Sequence, residues 1–139
     1  YNEYMEADNI VKLIQFINAE KKLCNGVGGQ SHLESTFPSA SYFKQAYTKF
    51  KNAGLEIQIT EFDAGAKSES EQAAYVYDVM KAVCEVKKEG GNITGFTWWG
   101  MSDDISWRKD KSPLLFSNIW TPKASYYRTL DAFTDTFNR

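Results

Sequence analysis

Two carboxylates, Glu61 and Asp63, stand two residues apart at the end of Leu55-Glu56-Ile57-Gln58-Ile59-Thr60-Glu61-Phe62-Asp63. Leu55, Ile57 and Ile59 alternate with Glu56, Gln58 and Thr60, which predicts a strand. Side chains two apart on an extended segment share a face, so both acids leave the strand in one direction. In parallel α/β folds the carboxyl ends of the strands carry the chemistry, whereas acids that merely turn the chain would need no polar company. Company is present. Gln30 and His32 repeat the two-residue spacing after the small residues Gly26-Val27-Gly28-Gly29, a stretch suited to close backbone packing or the approach of a ligand. Asp103, Asp104, Trp107 and Arg108 form a third polar and aromatic group beyond Trp99.

These residues need elements to position them, and the hydrophobic periodicity supplies four helices. Asp8 reads as an N-cap, with Ile10, Leu13, Ile14 and Ile17 marking a helix to about Lys22. Gly26–His32 reads as a short strand. Pro38 and Ser39 open a second helix along Phe43, Ala46, Tyr47 and Phe50, which Gly54 stops. Ser68 and Glu71 have the spacing of a capping box before Val76, Val79, Met80 and Val83, and this helix ends near Gly90 and Gly91. Ile93–Trp99 is a strand, Gly100–Thr121 a long loop, and from Pro122 a last helix carries Tyr126, Leu130, Phe133 and Phe137 on one face. Tyr1–Tyr4 reads as the end of a preceding strand. Strict alternation of this kind implies right-handed βαβ units and a parallel sheet whose strand ends converge on one rim, as in part of a (β/α)8 barrel.

Composition narrows the partners. With a net charge of -2 over 139 residues and mixed signs, there is no basic stripe for nucleic acid, and no apolar run reaches membrane-spanning length. Aromatic residues make up 15%, and their faces suit sugar rings as well as cores and protein interfaces. Cys24 and Cys84 lack metal spacing; they can pair or remain buried thiols, and their separate helices favour thiols. Asp103, Asp104 and Asp110 put oxygen into one loop, but without the spacing and glycine of a calcium loop they read as a solvated acidic segment. No metal or cofactor is expected. The chain starts at Tyr1 without a methionine and looks like the remainder of something longer.

Five segments together resemble the carboxyl-terminal half of a glycoside hydrolase family 10 endo-β-1,4-xylanase over nearly the whole chain. They are Tyr1-Asn2-Glu3-Tyr4, Gly26-Val27-Gly28-Gly29-Gln30-Ser31-His32, Ile59-Thr60-Glu61-Phe62-Asp63, Thr97-Trp98-Trp99-Gly100-Met101-Ser102-Asp103-Asp104-Ile105-Ser106-Trp107-Arg108, and Pro113-Leu114-Leu115-Phe116. The resemblance implies a secreted, metal-independent retaining hydrolase of xylan, with strands five to eight of the (β/α)8 barrel in residues 1–139. It makes Glu61 the nucleophile, kept ionised by His32, whose imidazole Asp63 orients. Gln30 becomes an amide facing sugar hydroxyls or the neighbouring carboxylate, and Trp99 and Trp107 become aromatic walls around the sugar at the cleavage point. Tyr4 becomes a contact on the leaving-group side. Arg108 is either a further substrate contact or half of a loop salt bridge, while Trp98 and Trp120 are assigned to the core.

Several positions depart from the family pattern. Glu3 and Met5 replace the second and fourth residues of the usual Asn-Asp-Tyr-Asn, Gly29 stands where a larger apolar residue is common, and Ser117 where an acid is usual. They bear on loop packing and subsites, not on Glu61 or His32. A second glutamate, the general acid/base in a Trp-Asp-x-x-Asn-Glu type motif, is missing from the sequence. An amino-terminal half, as a second fragment of the same catalytic domain, is expected to supply it. A β-1,4-glucanase on the same barrel and a non-catalytic xylan-binding half barrel are the competing readings.

Overall fold

The computed structural model describes residues 2–138, so Tyr1 of the expected first strand end lies outside the described residues. Glu3–Met5 form a turn rather than a strand end. Helix α1 (Ala7–Ile17) follows, then strands β1 (Gly26–Gly29) and β2 (His32–Glu34), helix α2 (Ala40–Asn52), strand β3 (Glu56–Gly65), helix α3 (Glu69–Lys88) and strand β4 (Asn92–Trp98). Two single turns, 103–105 and 109–111, and a hairpin of β5 (Phe116–Asn118) and β6 (Thr121–Pro122) lead to α4 (Ala124–Phe137).

β3 is the centre of the sheet. On one side β1 runs parallel to it, Gly26 opposite Glu56 and Gly29 opposite Ile59, and β2 continues the pairing with His32 opposite Asp63. On the other side β4 is also parallel, Ile57 opposite Ile93 and Phe62 opposite Trp98. Ile57, Ile59 and Phe62 are fully buried beneath Phe43 and Phe50 of α2 and Val76, Val79 and Met80 of α3. Burial of this kind stabilises by roughly 1.5–3 kcal/mol per large side chain. The result is a partial (β/α)8 barrel in which the carboxyl ends of β3 and its neighbours share one rim.

Local chemistry explains where the elements begin and end. Ser39 caps α2 by accepting from the Tyr42 N–H at 3.2 Å, and Gly54 closes it at a positive φ of 70°. Ser68 caps α3 by accepting from Glu71 N at 3.2 Å, but the Glu71 carboxylate accepts from Ser35 Oγ at 2.6 Å, so only half of the expected capping box forms. α1 starts one residue before Asp8, which is in the first turn and not the cap, and it stops at Ile17 instead of Lys22. Asn18 causes the early stop: its Oδ1 accepts from Leu23 N and Cys24 N at 2.8 and 2.9 Å, and its Nδ2 donates to Cys24 O at 2.7 Å. This side chain competes with further helical turns for the backbone and folds the chain back.

Other expectations change. Gly26–His32 is not one strand, because Ser31 adopts a left-handed φ of 62° between β1 and β2. The face of α4 that packs against α3 is built from the small residues Ser125, Thr129, Ala132 and Thr136, while Leu130, Phe133 and Phe137 are exposed. Leu13, Phe16 and Ile17 are likewise exposed on α1, Phe16 to 79%. Trp120 is no core residue; at the hairpin tip it is 84% exposed. Trp98 is half-buried against Phe62, with ring centroids 4.8 Å apart. Cys24 and Cys84 are free thiols.

Candidate active site

Glu61 and Asp63 do leave β3 together, but their surroundings differ. The Glu61 side chain is 24% exposed on the rim, whereas the Asp63 side chain is 0% exposed beneath it. His32 bridges them: Nε2 lies 3.2 Å from Glu61 Oε2, and Nδ1 lies 2.9 Å from Asp63 Oδ2. Gln30 Nε2 donates to the other Glu61 oxygen, Oε1, at 3.3 Å. The parallel register brings them together, since His32 is opposite Asp63 and the Gln30 carbonyl accepts from Glu61 N at 3.1 Å. When both carboxylates are ionised, the imidazole can donate to both only with a proton on each nitrogen.

Asp63 is held by more than His32. Trp107 Nε1 donates to Oδ2 at 3.0 Å, and the Arg108 guanidinium pairs with Oδ1 and also with the Glu34 carboxylate. Arg108 is therefore a partner of two acids in a mostly buried ion-pair network, the salt-bridge side of its two expected readings and not the substrate contact. A charge at Asp63 without such donors would be strongly disfavoured by burial. Trp107 remains 63% exposed, with the edge of its ring system against the His32 ring at 4.9 Å, and Trp99 is also exposed just beyond β4. The Trp107 indole thus stands at the open side of the cluster, while for Trp99 the backbone N–H donates to Phe62 O at 2.9 Å and the side chain is exposed.

Tyr4 is not on that open surface. It is 4% exposed, with its ring against Phe37 and Phe43 at 6.0 and 6.3 Å, and burial, helped by the charge of Glu3, pushes its phenol up to about 12. In the acidic loop Asp104 and Asp110 are exposed, as a solvated segment requires, but Asp103 is not. Asp103 is buried and bound by Lys123 Nζ at 2.7 Å and Leu114 N at 2.8 Å. Lys123 donates further to Ser112 O at 2.7 Å and Leu114 O at 3.0 Å, so an ammonium fills the oxygen cage of this loop. Among the described residues no group of three or more His, Cys, Asp or Glu is placed to hold a metal ion, and no helix is long and apolar enough to cross a membrane.

Sequence reasoning missed Glu34, Lys123 and a buried group beneath Gln30 and His32. The last consists of Glu3, Ser31 and Tyr47: the Ser31 hydroxyl donates to Glu3 Oε1, as does Tyr47 OH at 3.0 Å. Glu34 was signalled, being two residues past His32 on the same alternation. The carboxylates in the cluster are thus Glu61, Asp63 and Glu34, and Glu61 alone combines exposure with donors that are an amide and an imidazole rather than a guanidinium. Such a group can attack an electrophilic carbon.

The sequence pattern of Glycosyl hydrolase family 10 matches residues 1–132. Among similar curated proteins, endo-1,4-beta-xylanase A of Butyrivibrio fibrisolvens is 45% identical over 137 residues, covering 99% of this chain and 33% of that protein. A bifunctional endo-1,4-beta-xylanase of Ruminococcus flavefaciens is 36% identical over 135 residues, 94% of this chain and 13% of its own length. Among solved structures, the Clostridium thermocellum N-terminal endo-1,4-beta-D-xylanase complexed with xylohexaose superposes with a TM-score of 0.84 at 29% identity, over 95% of this chain and 28% of that one. A thermostable mutant of a Cellvibrio japonicus xylanase gives 0.82 at 26% identity, over 93% and 45%. The chain therefore spans about a third of the first of these relatives and less than half of either solved chain.

Proposed function

The chain belongs to glycosyl hydrolase family 10, and from that premise we propose that it is the nucleophile-bearing, carboxyl-terminal half of an endo-β-1,4-xylanase domain. The observation that carries the reading is Glu61, open to the rim and hydrogen-bonded by Gln30 at 3.3 Å and His32 at 3.2 Å. A carboxylate in that setting attacks the anomeric carbon of a xylosyl residue, forms a glycosyl ester, and is released when water attacks the same carbon, so configuration is retained. Negative charge beneath the sugar also stabilises the oxocarbenium-like transition state.

The other residues divide the work. His32 orients and donates to Glu61, Asp63 fixes the imidazole, and Gln30 donates to the nucleophile or to a sugar hydroxyl. Trp99 and Trp107 stack on the apolar faces of the sugar rings. The acid/base glutamate that protonates the leaving oxygen comes from the rest of the barrel, ~5–5.5 Å from Glu61 as retention requires. The exposed apolar faces of α1 and α4, at the two ends of the helical layer, support a covering half, and so do the open outer edges of β1 and β4. Xylan is a polymer too large to enter a cell, so the reading implies action outside it.

The test is made in a complete family 10 domain carrying these residues. Glu61→Ala abolishes hydrolysis of an aryl β-xylobioside, and a 2-fluoro-xylobioside inactivator adds its glycosyl mass to the peptide containing Glu61. Turnover of the variant at the parent rate, or label on another residue, overturns the assignment; a preference for aryl cellobioside over xylobioside overturns the substrate.

A further inference from the structure

Two departures from the family pattern, Glu3 and Gly29, meet in space. A Cβ on Gly29 would fall 2.6 Å from Glu3 Cγ and collide with the Tyr47 hydroxyl, so the space beside Gly29 is filled by the Glu3 and Tyr47 side chains. Both are buried, and both direct their polar ends to Ser31: its hydroxyl donates to Glu3 and lies 2.9 Å from Tyr47 OH. Ser31 is itself fully buried and left-handed, a conformation that a residue other than glycine holds when its surroundings impose it. On either side of Ser31 stand the two donors to Glu61. The backbone is tied to the same strand, with Gln30 O accepting from Glu61 N at 3.1 Å and Ser31 O from Asp63 N at 3.3 Å.

We infer that Glu3 is a positioning residue for the nucleophile: with Tyr47 it locks Ser31 in its left-handed turn, and that turn places Gln30 and His32 on the two oxygens of Glu61. Gly29 is the vacancy that lets the longer acid reach. The inference rests on the reading of Glu61 as nucleophile for its kinetic consequence, but not for its geometry. Release of Ser31 lets the β1–β2 junction relax, and displacement of a donor by about 1 Å costs a rate on the order of 10²-fold.

The test uses Glu3→Ala, Ser31→Ala and their double variant in the complete domain, with melting temperatures recorded to identify the folded variants. Each single change lowers kcat on an aryl β-xylobioside by about 10- to 100-fold with KM within about twofold, and the double loses little more than either single because both act through one turn. Glu3→Gln, which keeps an acceptor oxygen, regains most of the rate. The His32 Nδ1 proton shared with Asp63 supplies a signal independent of turnover: a slowly exchanging, downfield resonance present in the parent and lost in Glu3→Ala. Folded variants with unchanged kcat, multiplicative losses, or an imidazole signal that survives Glu3→Ala overturn the inference. If the parent domain does not cleave xylobioside, the function reading fails and the imidazole signal alone decides the positioning role.

Discussion

Replacing Asp63 by Asn keeps the shape of the side chain and removes its ability to accept on both sides. Three donors converge on this buried carboxylate: His32 Nδ1 and Trp107 Nε1 on Oδ2 at 2.9 and 3.0 Å, and Arg108 on Oδ1. An amide has one oxygen. Turned toward His32 and Trp107, it presents its NH2 to the Arg108 guanidinium and loses a hydrogen bond to a charged group, ~1.5–3 kcal/mol. Turned toward Arg108, it leaves two partly buried donors facing an NH2, each costing up to about 1–3 kcal/mol. The cheaper arrangement sets the expected loss at about 1.5–3 kcal/mol, toward the lower end because Arg108 retains Glu34 as a partner. Urea unfolding of the complete domain, parent against Asp63→Asn, measures it. On the same samples kcat for the aryl xylobioside falls by at least about tenfold, since the imidazole loses the acceptor that orients it. A stability change below about 0.5 kcal/mol, within the range of an ordinary surface substitution, would refute the claim that Asp63 binds three donors at once.

Three further outcomes follow from buried groups. Lys123→Met strands the Asp103 carboxylate and two carbonyls without their ammonium; the expected loss in urea unfolding is about 3–5 kcal/mol, the range for breaking a buried pair. Cys84 is buried and its thiol is pushed up to about 11, chiefly by burial and then by Glu85, so iodoacetamide at pH 8 should modify it after unfolding and not before, with mass spectrometry as the readout. Burial raises the phenol of Tyr4 to about 12 and those of Tyr47 and Tyr75 as well. Above the ordinary tyrosine value the unfolded chain releases these protons while the folded chain keeps them, so stability is intact below pH ~10 and falls as pH rises toward 12, by roughly 3 kcal/mol for Tyr4 alone. Alkaline unfolding curves check the slope, and Tyr4→Phe should flatten it.

How much of this was legible in the sequence depended on the range of the interactions. The alternation from Leu55 to Ile59 located β3 because adjacent residues face opposite ways, and Ser39 and Ser68 located helix starts because a cap acts within one turn. The stop of α1 depended on Asn18 reaching forward to Cys24, a competition that periodicity does not register. On α4 the apolar stripe was found, but it is not the face that packs on α3. Small residues let α4 approach α3, while Leu130, Phe133 and Phe137 are exposed. A stripe tells which face is buried in the finished fold, not which part of the fold buries it. Arg108 and Tyr4 were visible as polar groups near a rim; the partners that draw them inward, Asp63, Glu34 and the aromatic cluster, come from distant positions in the chain.

The two acids of β3 show why residue type and spacing do not by themselves assign a role. Glu61 and Asp63 leave the same strand on the same side and contact the same imidazole. Asp63 is fully buried and its oxygens are occupied by Arg108, Trp107 and His32, which leaves nothing to direct at a substrate. Each Glu61 oxygen has a single side-chain donor, Gln30 or His32, and the group is open to the rim, so lone pairs remain for an incoming carbon. Burial makes Asp63 an anchor for His32 and Trp107; partial exposure leaves Glu61 free to react. Exchanging the lengths of the two side chains would therefore not exchange the roles proposed for them. A glutamate at 63 would push its carboxylate into Trp107 and Arg108, and an aspartate at 61 would withdraw from Gln30 and His32 by one methylene. Each change would lower the rate for a separate physical reason.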